Sequence, residues 1–384
     1  MPKSYSILFI THYPRMYGAN QSMCQLMVEL RTKYNIQPVV LLSQRGEICE
    51  FLNQNNIPYY VSHFYWWVNA DKGFFQKLLN YRKQIRNLFR MPKLLKLIEK
   101  EEIDLIYSNS VTINIGFFLS SKMHRAHIWH IRETLQAYDF KYSLPDFVVK
   151  RIFDKGADKY IVISDFLSKA YTGFLPENRI KRIYNGLSLD TQNKAATDFE
   201  GILQVAVVGI ICDQKNQLDA LEAINILKSK GTNNIRLHFI GGNKEDYLLQ
   251  VKHYIETNDL QDNVVIHGHQ SNVQSILADM HIGLVCARDE AFGRVTIEYM
   301  LQGMPVIASK SGANEELVLD GQNGLLYELY DVDELAAKLE FFVENPIEFK
   351  AMGILAKDYA EKNFSLEKNT DAIYGVIKDL IGNS

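Results

Sequence analysis

The sequence predicts an α/β protein of two units, each a parallel sheet covered by helices on both faces. Three observations predict it. Short, β-rich apolar runs recur every 20 to 30 residues with helix-like segments between them. The series of runs restarts after a polar stretch at mid-chain. The length, 384 residues, suits two to three domains that each bury a core.

In the first half the strand candidates are Ser6 to Thr11, Pro38 to Leu42, Leu105 to Ser108, Ile128 to Ile131, Tyr160 to Ile163 and Arg182 to Tyr184. The second series comprises Leu203 to Val208, Arg236 to Ile240, Val264 to His267, Ile282 to Val285, Pro305 to Ala308 and Gly324 to Tyr327. Between them Ser188 to Glu200 has no apolar period and reads as the interdomain linker. The units expected are therefore residues 1–187 and 188–365, two Rossmann-like domains with ligands at the carboxyl ends of their strands, in a cleft between them. Leu366 to Ile381 reads as a last helix, residues 366–384, that packs back on the first unit.

Composition narrows the function. With 47% hydrophobic and 23% charged residues the chain is not disordered. Four cysteines without metal or disulfide spacing point to a reducing compartment. The apolar run Ile7 to Ile10 is too short for a signal-peptide core, and no run approaches the ~20 residues of a membrane span, so a cytoplasmic place is expected. The net charge of −3 divides into +10 over residues 1–190 and −13 over 191–384. An acidic second half disfavours nucleic acid as a partner.

The stretch from Asp289 to Ile307 carries the most chemistry. A strand enters a loop, Gly293 permits close backbone approach, a helix starts near Arg294, and Gly303 with Pro305 ends it. The first-turn N–H groups of such a helix have no partner within it and meet the positive end of its dipole, so residues 293–296 form an anion site. Glu290 and Glu298, eight residues apart, are carboxylates suited to accept hydrogen bonds from sugar and ribose hydroxyls. The plain alternative is that both are surface carboxylates.

This segment resembles the signature of the retaining glycosyltransferases of family 4, which have the GT-B fold and a Glu-x7-Glu motif matched by Glu290 and Glu298. The resemblance continues through Gly303-Met304-Pro305-Val306-Ile307, Gly312 with Glu315-Glu316-Leu317, and Gly321 to Gly324. It is weaker toward the N-terminus. There, Tyr13-Pro14 with Gly18-Ala19 looks like a first glycine-rich loop, His130 in Trp129-His130-Ile131-Arg132-Glu133 like the active-site histidine, and Tyr184-Asn185-Gly186 like the end of the first domain. Gly209 opens the second-domain phosphate loop, and Lys215 falls where the family has its diphosphate-binding lysine. Ile210 departs from the pattern, since arginine is common there; the charge is left to Arg294 or another residue, or the clamp is weaker.

The resemblance implies a metal-independent, retaining transfer of a sugar from a nucleotide diphosphate sugar, the co-substrate, to an acceptor hydroxyl, with no cofactor and no metal. It implies His130, Lys215 and Glu290 as catalytic residues. The donor site would be Gly18, Gly209, Lys215, Glu290, Phe292, Gly293, Arg294, Val295, Thr296 and Glu298. Lys215 and the amides of 293–296 would hold the diphosphate, Glu290 the donor-sugar hydroxyls, Glu298 the ribose, and His130 the sugar near the reacting centre. Residues 188–365 would bind the nucleotide sugar and residues 1–187 the acceptor, a glycan or lipid-linked saccharide in surface polysaccharide assembly. Two alternatives stay open: a nucleotide-sugar epimerase of the same fold, and a silent nucleotide-sugar-binding module.

Residues 72–100 carry nine basic side chains against Glu99 alone. Leu78, Tyr81, Ile85, Leu88 and Phe89 fall at helical spacing, Pro92 breaks the run, and Leu94, Leu95 and Ile98 resume it, which predicts two amphipathic helices. Preceded by Phe64-Tyr65-Trp66-Trp67 and Phe74-Phe75, they are expected to dock on an anionic membrane surface, the inner face of the cytoplasmic membrane. The plain alternative is an apolar stripe packed on the sheet beneath solvated charges.

Overall fold

The computed structural model describes residues 4–70, 73–136, 139–188 and 201–382. All of the expected linker except Ser188, together with Lys72 and the side chains of Phe74, Phe75 and Lys77, lies outside the described residues. The chain divides into two compact units, Met1–Gly186 with Leu366–Ser384, and Leu187–Ser365.

The first unit begins with β1 (Tyr5–Thr11), α1 (Gly18–Tyr34), β2 (Ile36–Leu42), α2 (Ile48–Gln54), β3 (Tyr59–Val61), β4 (Val68–Ala70) and α3 (Gly73–Ile98). It continues through β5 (Leu105–Ser108), α4 (Ile115–Met123), β6 (Ala126–Ile131), β7 (Phe140–Tyr142), α5 (Asp146–Gly156), β8 (Lys159–Val162), α6 (Asp165–Ala170) and β9 (Ile180–Arg182). Seven strands form a parallel sheet in the order β3-β2-β1-β5-β6-β8-β9, while β4 and β7 pair antiparallel beside it. The near-continuous apolar runs of the strands follow from burial on both faces. One face packs α1 and α2, through Met23, Leu26, Met27, Leu30 and Leu52, and the other packs Leu94 and Ile98 of α3 with Leu119 of α4.

The second unit runs β10 (Leu203–Val208), α7 (Gln217–Ser229), β11 (Ile235–Ile240), α8 (Glu245–Thr257), β12 (Val264–Gly268), α9 (Val273–Leu277) and β13 (Ile282–Val285). It goes on through α10 (Arg294–Leu301), β14 (Val306–Ser309), α11 (Asn314–Leu317), β15 (Gly324–Tyr327), α12 (Val332–Glu344) and α13 (Pro346–Asn363). Its six strands are parallel in the order β12-β11-β10-β13-β14-β15. The last helix, α14 (Leu366–Ile381), belongs to the first unit. Its residues Ile373, Val376, Ile377 and Ile381 enter the core beside α1, Tyr34 stacks on Tyr374 at 3.6 Å, and Lys33 bridges Glu367 and Asp371.

Three expectations are corrected. The ninth strand ends at Arg182, not Tyr184, because its register with β8 starts at Tyr160 opposite Ile180. Pro92 lies inside one continuous helix; α3 carries on past it because Met91, Leu94 and Ile98 are all buried. Loss of one helical hydrogen bond is tolerated where packing on either side holds the axis. Finally, Phe64 and Trp67 are core residues, Trp67 packing against Trp129, Tyr142 and Phe153, and cannot reach a headgroup layer.

From Leu78 to Phe89, α3 is built inside out. Asn80, Gln84 and Asn87 are buried, whereas Leu78, Leu79, Tyr81, Ile85, Leu88 and Phe89 are exposed. The polar stripe has a clear use. Asn87 donates to the carbonyl of Tyr65 and accepts from its N–H, each at 2.9 Å, and Gln84 donates to the Trp66 carbonyl at 2.8 Å. A stretch of chain that belongs to no sheet has its backbone polar groups satisfied by amide side chains instead.

Candidate functional site

In the second unit the residues of interest follow the carboxyl ends of β10 and β13, which are neighbours in the sheet. Gly209, with φ at 147°, ends β10, and a 3-10 turn, Asp213–Lys215, then delivers the Lys215 side chain. Beyond β13 the loop places Glu290 ahead of α10, so that Lys215 Nζ donates to Glu290 Oε2 at 2.5 Å. Glu290 Oε1 in turn accepts from the Gly293 N–H at 3.2 Å. The N-terminus of α10 therefore meets a carboxylate of its own chain, as dipole and orphan donors favour.

Two glycines make this geometry accessible. Gly293 caps α10 at φ 86°, where a Cβ would meet Leu317 Cδ1 at 2.8 Å. Gly312, at φ 62°, lies against Glu290 so closely that a Cβ would come within 2.4 Å of the Glu290 backbone nitrogen. Any other residue at either position would displace the loop that aims Glu290.

Burial pushes the Glu290 carboxyl upward, but the Lys215 charge and hydrogen bonds from Lys215, Gly293 and Phe292 outweigh it and hold the pKa below the usual carboxylate value. Glu298 behaves oppositely. Burial raises its pKa, and Arg294, whose Nε donates to Glu298 Oε1 at 2.8 Å, offsets this only in part. The Arg294 guanidinium is thus already engaged by a carboxylate and is not a simple replacement for an arginine at the exposed Ile210.

Lys215, Glu290, Gly293, Val295 and Thr296 line one pocket. The buried Thr296 Oγ1 has no partner among the described residues. Phe292 contributes its N–H to Glu290, while its ring is buried against Phe364. Glu298 lies on the first turns of α10, bound to Arg294. Among the described residues no group of three or more His, Cys, Asp or Glu is arranged to hold a metal ion.

His130 belongs to the first unit, near the end of β6, with both its neighbours in the sheet packed beside it. Its Nδ1 faces the Tyr107 hydroxyl and Nη2 of Arg132, the latter at 3.3 Å. A guanidinium only donates, so Nδ1 is the acceptor and the ring proton is assigned to Nε2. That buried Nε2 has no partner among the described residues. Burial first, and Arg132 second, lower the pKa far below the ordinary histidine value, so the ring is neutral. His127, three residues earlier, differs: Ser108 Oγ takes one nitrogen at 2.8 Å and the Gly156 carbonyl the other. His127 is a satisfied core histidine, whereas His130 presents one unspent N–H.

Arg132 is held by Asn109 Oδ1 and Asn185 Oδ1, each at 2.6 Å. Neither it nor Tyr107 was singled out from the sequence. The signal for Arg132 was its spacing, since residues two apart at the end of a strand lie on one face. Gly18 is not in a loop: it is the first residue of α1. The turn before it is held instead by Asn20, whose Nδ2 donates to the carbonyls of Tyr13 and Arg15.

Residues 190–361 match the family model of the glycosyl transferases group 1. An uncharacterized glycosyltransferase of Methanocaldococcus jannaschii is 28% identical over 299 residues, which span 77% of this chain and 80% of that one. The capsular polysaccharide biosynthesis glycosyltransferase CapM of Staphylococcus aureus is 24% identical, over 84% of this chain and 89% of its own. The fold is shared with Anabaena HepE, solved in complex with UDP, at a TM-score of 0.81 and 20% identity, covering 98% of this chain and 100% of that one. A glycosyltransferase from Rickettsia africae gives the same TM-score at 18% identity, covering 99% and 100%. The two parallel-sheet units are thus those of the GT-B fold.

Proposed function

We propose that this chain is a retaining, metal-independent glycosyltransferase of family 4 that moves a hexose-type sugar from a nucleotide diphosphate sugar to an acceptor hydroxyl in surface polysaccharide assembly, a reading supported by its likeness to the glycosyl transferases group 1. The bond from the anomeric carbon to the diphosphate breaks, the acceptor oxygen forms the new bond, and the acceptor proton leaves with the nucleoside diphosphate.

The observation that carries this reading is the meeting of Lys215 with Glu290 at the N-terminus of α10. Loss of the diphosphate demands positive charge and N–H donors fixed beforehand, and a lysine beside a helix start supplies both. Glu290 and Glu298 take the donor's sugar and ribose hydroxyls, and the Nε2–H of His130 is the donor offered to the reacting sugar. HepE binds UDP and UDP-glucose, which makes uridine diphosphate sugars the first donors to try.

The acceptor in this reading is a lipid-linked saccharide at the inner face of the cytoplasmic membrane. Support comes from α3, where exposed Leu78, Ile85, Leu88 and Phe89 share the outer side with Arg82 and Arg86. Among the described residues no helix is long and apolar enough to cross a membrane.

A thermal-shift screen of UDP-glucose, UDP-N-acetylglucosamine, GDP-mannose and ADP-glucose tests the donor assignment, since a bound ligand stabilises the fold by mass action. Stabilisation by at least one of them, with slow release of free nucleoside diphosphate, is expected. Binding without any turnover would favour the silent module, and an epimerised donor without release would favour the epimerase.

A further inference from the structure

The Glu290 carboxylate and a diphosphate call on the same groups. Glu290 Oε2 accepts from Lys215 Nζ at 2.5 Å, and Oε1 accepts from the Gly293 N–H at 3.2 Å. The Phe292 N–H adds a third bond, and the lowered pKa keeps the carboxylate charged at neutral pH. A lysine and N–H donors at a helix start are also what a departing diphosphate requires. Room for both anions is lacking. Lys215, Glu290, Gly293 and Thr296 line a cavity of only about 10 Å3, enough for about one water. Thr296 Oγ1, buried and without a partner among the described residues, lies 3.1 Å from where a Cβ on Gly293 would stand, so the helix start holds a further donor. A phosphate reaches these groups once the Glu290 carboxylate turns away from them.

Turning away has to be offset. A partly buried carboxylate that gives up a cation and two N–H groups needs other donors in their place. A bare nucleoside diphosphate brings only acceptor oxygens to this end of the site and sets two anions side by side. A sugar on the second phosphate brings hydroxyls, which a carboxylate accepts. The sugar nucleotide therefore offsets the exchange and the bare diphosphate does not.

We propose that Glu290 determines specificity by exchanging Lys215 and the Gly293 N–H for the hydroxyls of the donor sugar, so that the site prefers a sugar nucleotide to its bare nucleoside diphosphate. Once the sugar has left with the acceptor, Glu290 loses those hydroxyls and returns to Lys215. The diphosphate is then displaced from the helix start, so product release follows from the same contact. The inference rests on the transferase reading of this site.

Calorimetry on the full chain tests it, with UDP, GDP and ADP beside UDP-glucose, UDP-N-acetylglucosamine, GDP-mannose and ADP-glucose. The parent should bind at least one sugar nucleotide more tightly than the matching diphosphate. Glu290→Gln keeps an oxygen for the Gly293 N–H and drops the charge, while Lys215, 33% exposed, stays hydrated, so the fold should hold. This variant should bind the matching diphosphate about ten-fold more tightly than the parent, the effect of removing one competing charged hydrogen bond, and the sugar nucleotide no more tightly. In a Lys215→Ala background, which lacks the contested cation, Glu290→Gln should bring a smaller gain. A merely supporting role for Glu290 would instead weaken both ligands. Diphosphate affinity unchanged or reduced in Glu290→Gln, or an equal gain in both backgrounds, would overturn the inference and leave the donor reading standing. Binding of no nucleotide by parent or variants would sink the donor reading and the inference with it.

Discussion

Lys215 Nζ and Glu290 Oε2 lie 2.5 Å apart although 75 residues separate them in the chain. The contact joins the loop after β10 to the loop after β13, so neighbouring strands of one sheet deliver a cation and a carboxylate to the same helix start. Both groups are partly buried, Lys215 the more exposed of the two. A pair of this kind has a structural consequence as well as a chemical one, since removing either partner strands the other.

Lys215→Ala should lower turnover more than ten-fold, because removal of one stabiliser of transition-state charge commonly costs ~2.7 to 4 kcal/mol. It should also destabilise the second unit at neutral pH by leaving Glu290 unpaired. Glu290 has a lowered folded pKa, so its contribution to stability is present above the unfolded carboxyl value and is lost as pH falls through the folded one. The stability gap between parent and Lys215→Ala should accordingly shrink on acidification. Denaturant titrations at neutral and acidic pH, beside steady-state kinetics, check both halves; near-parental kinetics would defeat the assignment of Lys215.

Glu298→Ala should weaken donor binding without comparable loss of turnover at saturating donor, as expected of a ribose contact. Arg294→Met should push the already raised Glu298 pKa further up, since its offsetting charge is gone. Donor affinity measured by calorimetry should then begin to fall on acidification at a higher pH in Arg294→Met than in the parent. Identical pH profiles would show that Glu298 does not bind the donor in its charged form.

How much of this was legible in the sequence depended on whether the cause was local. Strands such as Leu203–Val208 and Ile282–Val285 were read to the residue, because their apolar runs are buried on both faces and bounded by turn residues. The loop and helix from Glu290 to Leu301 were readable because Gly293 and the carboxylate ahead of it act within a few residues. What stayed hidden was long-range pairing. Nothing within α3 announces that Asn80, Gln84 and Asn87 face inward, since their partners lie in residues 65 and 66; only their i, i+4, i+7 spacing was a clue. Likewise His130 is distinguished from His127 only by which nitrogens find partners on β5 and elsewhere.

Activity should survive excess EDTA, because the reading assigns charge stabilisation to Lys215 and the α10 amides. Donor turnover assayed before and after chelation, with Mg²⁺ and Mn²⁺ restored afterwards, checks it. A strict requirement for either ion would remove Lys215 from its proposed role as the main cation.

Acid should destabilise the fold through its histidines. Burial lowers His127 and His238 to about 4, while an unfolded histidine takes up a proton near 6.5. Between those values the unfolded chain binds more protons than the folded one, so stability falls as pH falls from about 6.5 toward 4. Melting temperatures across that window should drop, and His238→Gln, which removes one such group, should flatten the slope.

The outer face of α3 should bind anionic vesicles reversibly. Phe89 is 82% exposed and Ile85 51%, values unusual for large apolar side chains, and they stand with Leu78 and Leu88 on the side opposite the buried amide stripe. Arg82 and Arg86 project from the same side and Lys93 and Lys96 continue it, which matches an amphipathic helix lying in a headgroup layer. At ~1 kcal/mol per basic residue near an anionic surface, three or four engaged side chains give salt-sensitive attachment. Arg90 is less available, since its guanidinium donates to the His63 carbonyl and lies over the Tyr65 ring. The double change Ile85→Ser and Phe89→Ser should abolish co-sedimentation at high salt, where the apolar contribution remains, and Arg82→Ser with Arg86→Ser should reduce it at low salt. The apolar pair does not touch the buried stripe, so its melting temperature should stay near the parent's, whereas Arg86 hydrogen-bonds the Tyr65 side chain and its loss should cost the arginine pair a little stability. Equal sedimentation with neutral and anionic vesicles, or none with either, would remove the membrane from the reading and leave the donor chemistry as it stands.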